Sequence, residues 1–293
     1  MTPGVLNLDK PAGITSFAVI RRLREITGVR RIGHAGTLDP LATGVLPVLF
    51  GSATRLAEFA LRLPKTYVAD VRLGYRTATD DAEAEPVPVG DTSRLSKETV
   101  AAALAEFVGK IKQAPPKFSA VKLGGERSYR LARRGEDPAP APREVEITEA
   151  ALLSFTAGPG AVAAIRVVCG SGTYLRALAR DLGERLEVGG YLGQLARTAY
   201  GGLRLEEAVG LDELRRPEDV DSRILSAHVL LPEMEAVRLT VEQIALVKQG
   251  RSVRVVPDPG PGPLRAHDLS GRLVALGHAD PLRRTFVPEK VLV

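Results

Sequence analysis

The stretch GHAGTLDPLATGVLPVLFG, residues 33–51, decides how the chain is read. Its first half sets His34 and Asp39 among Gly33, Gly36, Gly44 and Pro40, where the backbone turns sharply and little apolar surface can be buried. Its second half, VLPVLFG, is a short apolar run closed by glycine, which predicts a buried strand. An ionisable loop therefore feeds directly into a sheet. Taken singly, Asp-Pro argues for a turn capped by its own side chain. His34 argues for a loop histidine, and Tyr67 for core packing. Any functional reading has to come from the rest of the chain.

Upstream, TSFAVIRRLREITG (15–28) predicts an amphipathic helix. Thr15 or Ser16 caps it, Phe17, Ile20, Leu23 and Ile26 form its apolar stripe, and Gly28 stops it. Downstream, KTYVADVRLGYRT (65–77) alternates apolar and polar residues with period 2, the pattern of a strand with one covered face. SKETVAAALAEFVGKI (96–111) reads as a helix. AVAAIRVVCGSGTYLRALARDLGERL (161–186) reads as strand, glycine turn and helix, with Arg176 in the helix's first turn and Arg180 one turn on. Near Glu233 the texture changes: LTVEQIALVKQG (239–250) predicts a short helix among β-like runs separated by PDPGPGP, SGR and ADP. The expected organisation is one large domain, residues 1–232, and a small β-rich one, residues 233–293.

Composition narrows the classes. With 44% hydrophobic and 26% charged residues in 293, the chain is an ordinary globular protein. It has no apolar run of about 18 residues and no secretory leader pattern, so it is expected to be cytoplasmic and away from membranes. One cysteine, Cys169, and four scattered histidines predict neither a disulfide nor a metal site. GSGTYLRAL lacks the third glycine of the dinucleotide fingerprint, which argues against a nicotinamide or flavin cofactor.

Net charge is +5. Residues 110–143 alone carry nine basic residues against Glu126, Glu136 and Asp137, a net of +6. Phe118 and Tyr129 lie among them, and prolines flank the segment. Positive charge with aromatics on a projecting loop suits a nucleic-acid backbone.

Five ordered segments, LNLDKPAGITS, GHAGTLDPLATGVLPVLFGSATRL, KTYVADVRLGYRTATDD, PPKFSAVKLGGERSYRLARRG and CGSGTYLRALARDLG, closely resemble the TruB family of tRNA pseudouridine-55 synthases. The resemblance implies an α+β pseudouridine-synthase fold, a mixed and largely antiparallel sheet flanked by helices. It also implies a basic RNA-clamping insertion at 110–143 and a PUA-like tail. It further implies isomerisation of the T-loop uridine of tRNA by breaking C1′–N1 and forming C1′–C5, without a cofactor or metal. By that likeness Asp39 is the catalytic aspartate, Arg176 its partner, and Tyr67 the ring on which the flipped uracil stacks, its hydroxyl a candidate acceptor of the C5 proton. His34 fills the space the base vacates, Leu195 and Arg197 line the base pocket, and Lys10 supports the site loop. Lys117, Lys122, Arg127, Arg130 and Arg133 would meet phosphates of the T-arm. Ala196 and Phe118 depart from the family's commoner arginine and tyrosine. A monomer is expected, acting without a guide RNA, since the tail is short for the guide-dependent relatives. An RNA-binding or RNA-folding factor is the competing reading.

Overall fold

The computed structural model describes residues 2–255, 260, 262–280 and 282–293, so most of the PDPGPGP stretch and Pro281 fall outside the described residues. The first helix, α1 (Ser16–Thr27), forms where the sequence predicts it. The Thr15 hydroxyl accepts from the Ala18 amide, and Gly28 closes the helix at φ 69° by donating to the Arg24 carbonyl. Its buried stripe is Ser16, Val19, Ile20 and Leu23, whereas Phe17 is exposed. Steps of exactly three residues drift off a 3.6-residue helix, while the i, i+3, i+4, i+7 set stays on one face.

The main sheet is built from β1 (Gly4–Lys10), β2 (Ile32–His34), β3 (Thr43–Phe50), β4 (Lys65–Leu73), β5 (Gly109–Gln113), β6 (Arg143–Thr156), β7 (Val162–Cys169) and β8 (Gly190–Tyr200). Its order is β1-β3-β8-β4-β7-β6-β5, with β2 added to β3 and Val209–Gly210 to the outer side of β1. Pairing is antiparallel along this path except at the β3–β8 seam. At that seam Gly44 takes φ +100°, and a Cβ there would sit 2.2 Å from the Arg197 carbonyl oxygen. Only glycine lets the two backbones meet this closely.

One expected element ends early. The second long helix runs Lys97–Ala105 rather than to Ile111. Gly109 at φ +108° then starts β5, whose residues 110–113 pair with the beginning of β6. The alternation in Lys-Ile-Lys-Gln fits a strand better than a helix. Lys110 and Lys112 thus belong to a sheet edge, and the projecting part of the basic segment begins after Gln113.

Helix α2 (Leu175–Arg185) covers the centre of the sheet, where its buried Leu178 and Leu182 join Val71, Ile165 and Leu192 in one core. Helix α1 packs with β1 and β3 in another. The C-terminal residues form a separate five-stranded sheet with its own core around Val237, Val247, Val274 and Phe286. The short helix expected there runs Val241–Lys248, capped by Thr240. Leu273, Leu276 and Leu292 of this tail enter a third core with Leu63, Tyr200 and Leu230 of the larger part, so the tail is docked on apolar surface. No helix of the described residues is long and apolar enough to cross a membrane.

Candidate active site

The loop between β2 and β3 has its backbone tied down on both sides. Ser16 at the start of α1 accepts from the Leu38 amide at 2.9 Å and donates to the Leu38 carbonyl at 3.1 Å. Gly13 donates to the Pro40 carbonyl at 2.8 Å. Lys10, fully buried, spends its ammonium on the carbonyls of Pro11 and Ile14 at 2.8 Å and of Pro40 at 3.3 Å. From the other side, Arg197 donates to the carbonyls of Gly36 at 3.0 Å and Val45 at 2.7 Å. The backbone around Asp39 is therefore fixed while its side chain, 37% exposed, points outward.

The carboxylate meets the guanidinium of Arg176, whose Nε lies 3.0 Å from Asp39 Oδ2 and whose side chain is only 7% exposed. This contact is an ion pair without an aligned hydrogen bond, since the Nε–H does not point at the oxygen. The rest of the guanidinium is held firmly. Nη1 donates to the Thr79 carbonyl at 3.3 Å and stands 3.4 Å from Asp81 Oδ2, and Nη2 donates to the Phe118 carbonyl at 3.1 Å. One buried cation thus bridges an open carboxylate and a closed one, because Asp81 is buried and accepts from the Thr79 hydroxyl and the Glu83 amide.

Asp81 and its neighbour Asp80 were not singled out from the sequence. Asp80 adopts φ +60° and pairs with Arg180 at 3.0 Å. Arg176 and Arg180, one helical turn apart, thereby take two adjacent aspartates. The doubled acid in TATDD, facing an i, i+4 arginine pair, was the available signal.

A cleft of about 730 Å³ opens over these groups, and Asp39, Tyr67, Arg176, Leu195, Arg127 and Arg133 line it. Cross-strand register sets Arg197 beside Tyr67 and Leu195 beside Ala69, and the Arg197 guanidinium lies 6.0 Å from the Tyr67 ring centre. Burial pushes the Tyr67 phenol above its ordinary range, so it stays neutral. Burial first, then Asp81 and Asp39, raise the carboxyl of Glu83, another cleft residue.

The remaining residues expected at the site divide between the cleft and its surroundings. His34 is half-buried on β2 and does not line the cleft. Its Nδ1 is buried without a partner among the described residues, and burial with Arg197 nearby lowers its pKa. Lys10, expected as a substrate contact, instead braces the loop through three carbonyls and stands outside the cleft lining, whereas Arg197 braces it through Nε and Nη2 and also lines the cleft. On the insertion, Lys117 is engaged by Asp137, while Lys122 and Arg130 are exposed away from the cleft lining. Among the described residues no cluster of His, Cys, Asp and Glu is placed to hold a metal.

Sheet, insertion and docked tail make up the pseudouridine-synthase fold. Among solved structures, a Cbf5–Nop10–Gar1 complex contains a chain that is 26% identical with a TM-score of 0.74, covering 99% of this chain and 85% of that one. The model of the N-terminal domain of TruB family pseudouridylate synthases matches residues 24–175. A tRNA pseudouridine synthase B from Synechococcus elongatus is 44% identical over 278 residues, 94% of this chain and 93% of its own. That of Mycobacterium ulcerans is 40% identical, covering 94% and 90%. The chain belongs to the TruB family of pseudouridylate synthases and is an isomerase.

Proposed function

We propose that the chain converts the T-loop uridine at position 55 of tRNA to pseudouridine, with Asp39 as the catalytic carboxylate. The observation that carries this reading is an outward-facing Asp39 at 3.0 Å from the buried Arg176, in a cleft shared with Tyr67 and Leu195. The Arg176 guanidinium gives the carboxylate a fixed cationic partner that aims it at the cleft. The uridine is flipped from the folded loop at a cost of a few kcal/mol, and stacking on Tyr67 at about 1–3 kcal/mol offsets much of it.

C1′–N1 then breaks, the ring turns, and C5 joins C1′. The neutral phenol of Tyr67 is no standing base, so at C5 it serves as a hydrogen-bond acceptor through which the proton leaves rather than as the group that keeps it. Catalysis by a lone chain without a guide RNA is favoured by the relatives. Those named tRNA pseudouridine synthase B are 36–45% identical, against 26% for the chain of the Cbf5 complex.

Arg127 and Arg133 would contact phosphates from the insertion side of the cleft. Replacing both with alanine is expected to weaken tRNA binding and to flatten the slope of log affinity against log salt by about 1.5, roughly 0.7–0.9 per phosphate contact. Filter binding between 50 and 200 mM salt reads this slope, and an unchanged slope removes both residues from the interface. The site assignment is tested with tRNA labelled by tritium at uracil C5. Purified protein should release one label per tRNA, and none when a transcript carries cytidine at position 55. Release from the cytidine transcript would mean that another uridine is the target.

A further inference from the structure

Two cations lie beneath the cleft with no carboxylate of the described residues paired to them. Lys65, at the start of β4, is 6% exposed, and Arg197 on β8 is fully buried. A bulge in β8 between Arg197 and Ala199 puts Arg197 next to Tyr67 and Tyr200 next to Lys65. Lys65 Nζ is 4.9 Å from the centre of the Tyr200 ring, and the Arg197 guanidinium is 5.0 Å from the same ring. Lys65 donates to the Leu61 carbonyl at 2.6 Å, and neither cation forms an ion pair with a described carboxylate. Cys169, opposite Lys65 in β7, offers no charge, because burial pushes its thiol up to about 11. The Tyr200 hydroxyl is buried without a partner among the described residues and stays protonated.

Uncompensated buried cations are unfavourable unless something that enters the site supplies the counter-charge. Lys65 and Arg197 both line the cleft with Tyr67 and Leu195, so that counter-charge comes with the bound nucleotide. A phosphodiester would be met at the rim, by exposed side chains such as Arg127 and Arg133. Lys65 is sunk two residues along the same strand face from Tyr67, which points to the base instead. When C1′–N1 breaks, its electron pair leaves with the ring, and uracil becomes an anion with charge spread over N1, O2 and O4. C5 then bonds to C1′, the C5 proton departs and N1 gains one, so Lys65 ends as it began.

We propose that Lys65, backed by Arg197, stabilises the uracil anion formed on C1′–N1 cleavage by donating from Nζ to a ring carbonyl oxygen. This rests on the isomerisation assigned above. It makes the floor of the pocket a preorganised positive site that water cannot screen.

The test compares full-length wild type, Lys65→Met and Lys65→Arg by single-turnover tritium release and by tRNA binding. Lys65→Met is expected to slow the single-turnover step by about 100- to 1000-fold, the range for losing one preorganised donor, with the tRNA Kd within about threefold. Lys65→Arg should restore most of the rate. Burial lowers the Lys65 pKa to about 8, so wild-type kcat/KM should fall as pH rises through that value, while Lys65→Arg stays level from pH 7 to 9. Lys10 titrates in the same range, and a fall that persists in Lys65→Arg would assign it to Lys10 and overturn the proposal. A weakened Kd at unchanged rate would make Lys65 a phosphate contact and overturn it too, as would unchanged rates in both variants. Should Lys65→Met not fold, the two pH profiles decide alone. Asp39→Asn in the same assay keeps the two questions apart, because its inactivity upholds the isomerase reading even if Lys65 proves silent.

Discussion

Asp39→Asn is expected to remove pseudouridine formation by a factor of about 10⁴ or more while leaving tRNA affinity within a few-fold. Asparagine keeps the shape, and every tether of the loop runs through backbone groups or other side chains, so the fold should be intact. What disappears is the charge that faces the cleft. The Arg176 guanidinium then keeps Asp81 as its carboxylate partner, which argues against loss of the pocket itself. Tritium release and filter binding on one preparation separate the two effects. A variant that binds and still turns over at a tenth of the wild-type rate would transfer the chemistry to another group.

Arg176→Lys should be the second most damaging change, at about 100- to 1000-fold in rate. The planar guanidinium reaches Asp39, Asp81 and the Thr79 and Phe118 carbonyls at once. An ammonium is a point charge and cannot span that set. Removing the cation in Arg176→Met leaves Asp81 buried without its ion partner, at a stability cost of about 3–5 kcal/mol. Denaturant melts and single-turnover rates on the two variants read this difference: Lys should fold normally and react slowly, Met should also melt early. Equal activity of Arg176→Lys and wild type would remove the shared guanidinium from the account.

Local patterns in the chain carried much of the fold. Helix α1, β3, β4 and the β7-turn-α2 unit follow from periodicity, capping residues and glycine. β8 was not legible by period. Bulges between Leu192 and Gln194 and between Arg197 and Ala199 break the alternation. Those same irregularities set Leu195 and Arg197 on the cleft with Tyr200 buried behind them, so the feature that hides the strand also builds the site. β5 was hidden by a helical pattern running into Gly109.

Asp39 and Arg176 are 137 positions apart, and nothing local joins them; motif order suggested them and the sheet brings them together. Asp81 escaped because an acid beside a turn reads as a solvated cap. Lys65 escaped because a lysine opening a strand reads as an edge residue until a strand on each side buries it.

The most direct measurement is a crystal structure of the protein with a T-arm RNA carrying 5-fluorouridine at the target position. The expected result is an extruded base with its ring on Tyr67 and an Asp39 oxygen about 3–3.5 Å from the uracil or its ribose, or bonded to it. A target nucleotide still stacked in its loop, with Asp39 turned away from it, would contradict the claim that this carboxylate does the chemistry.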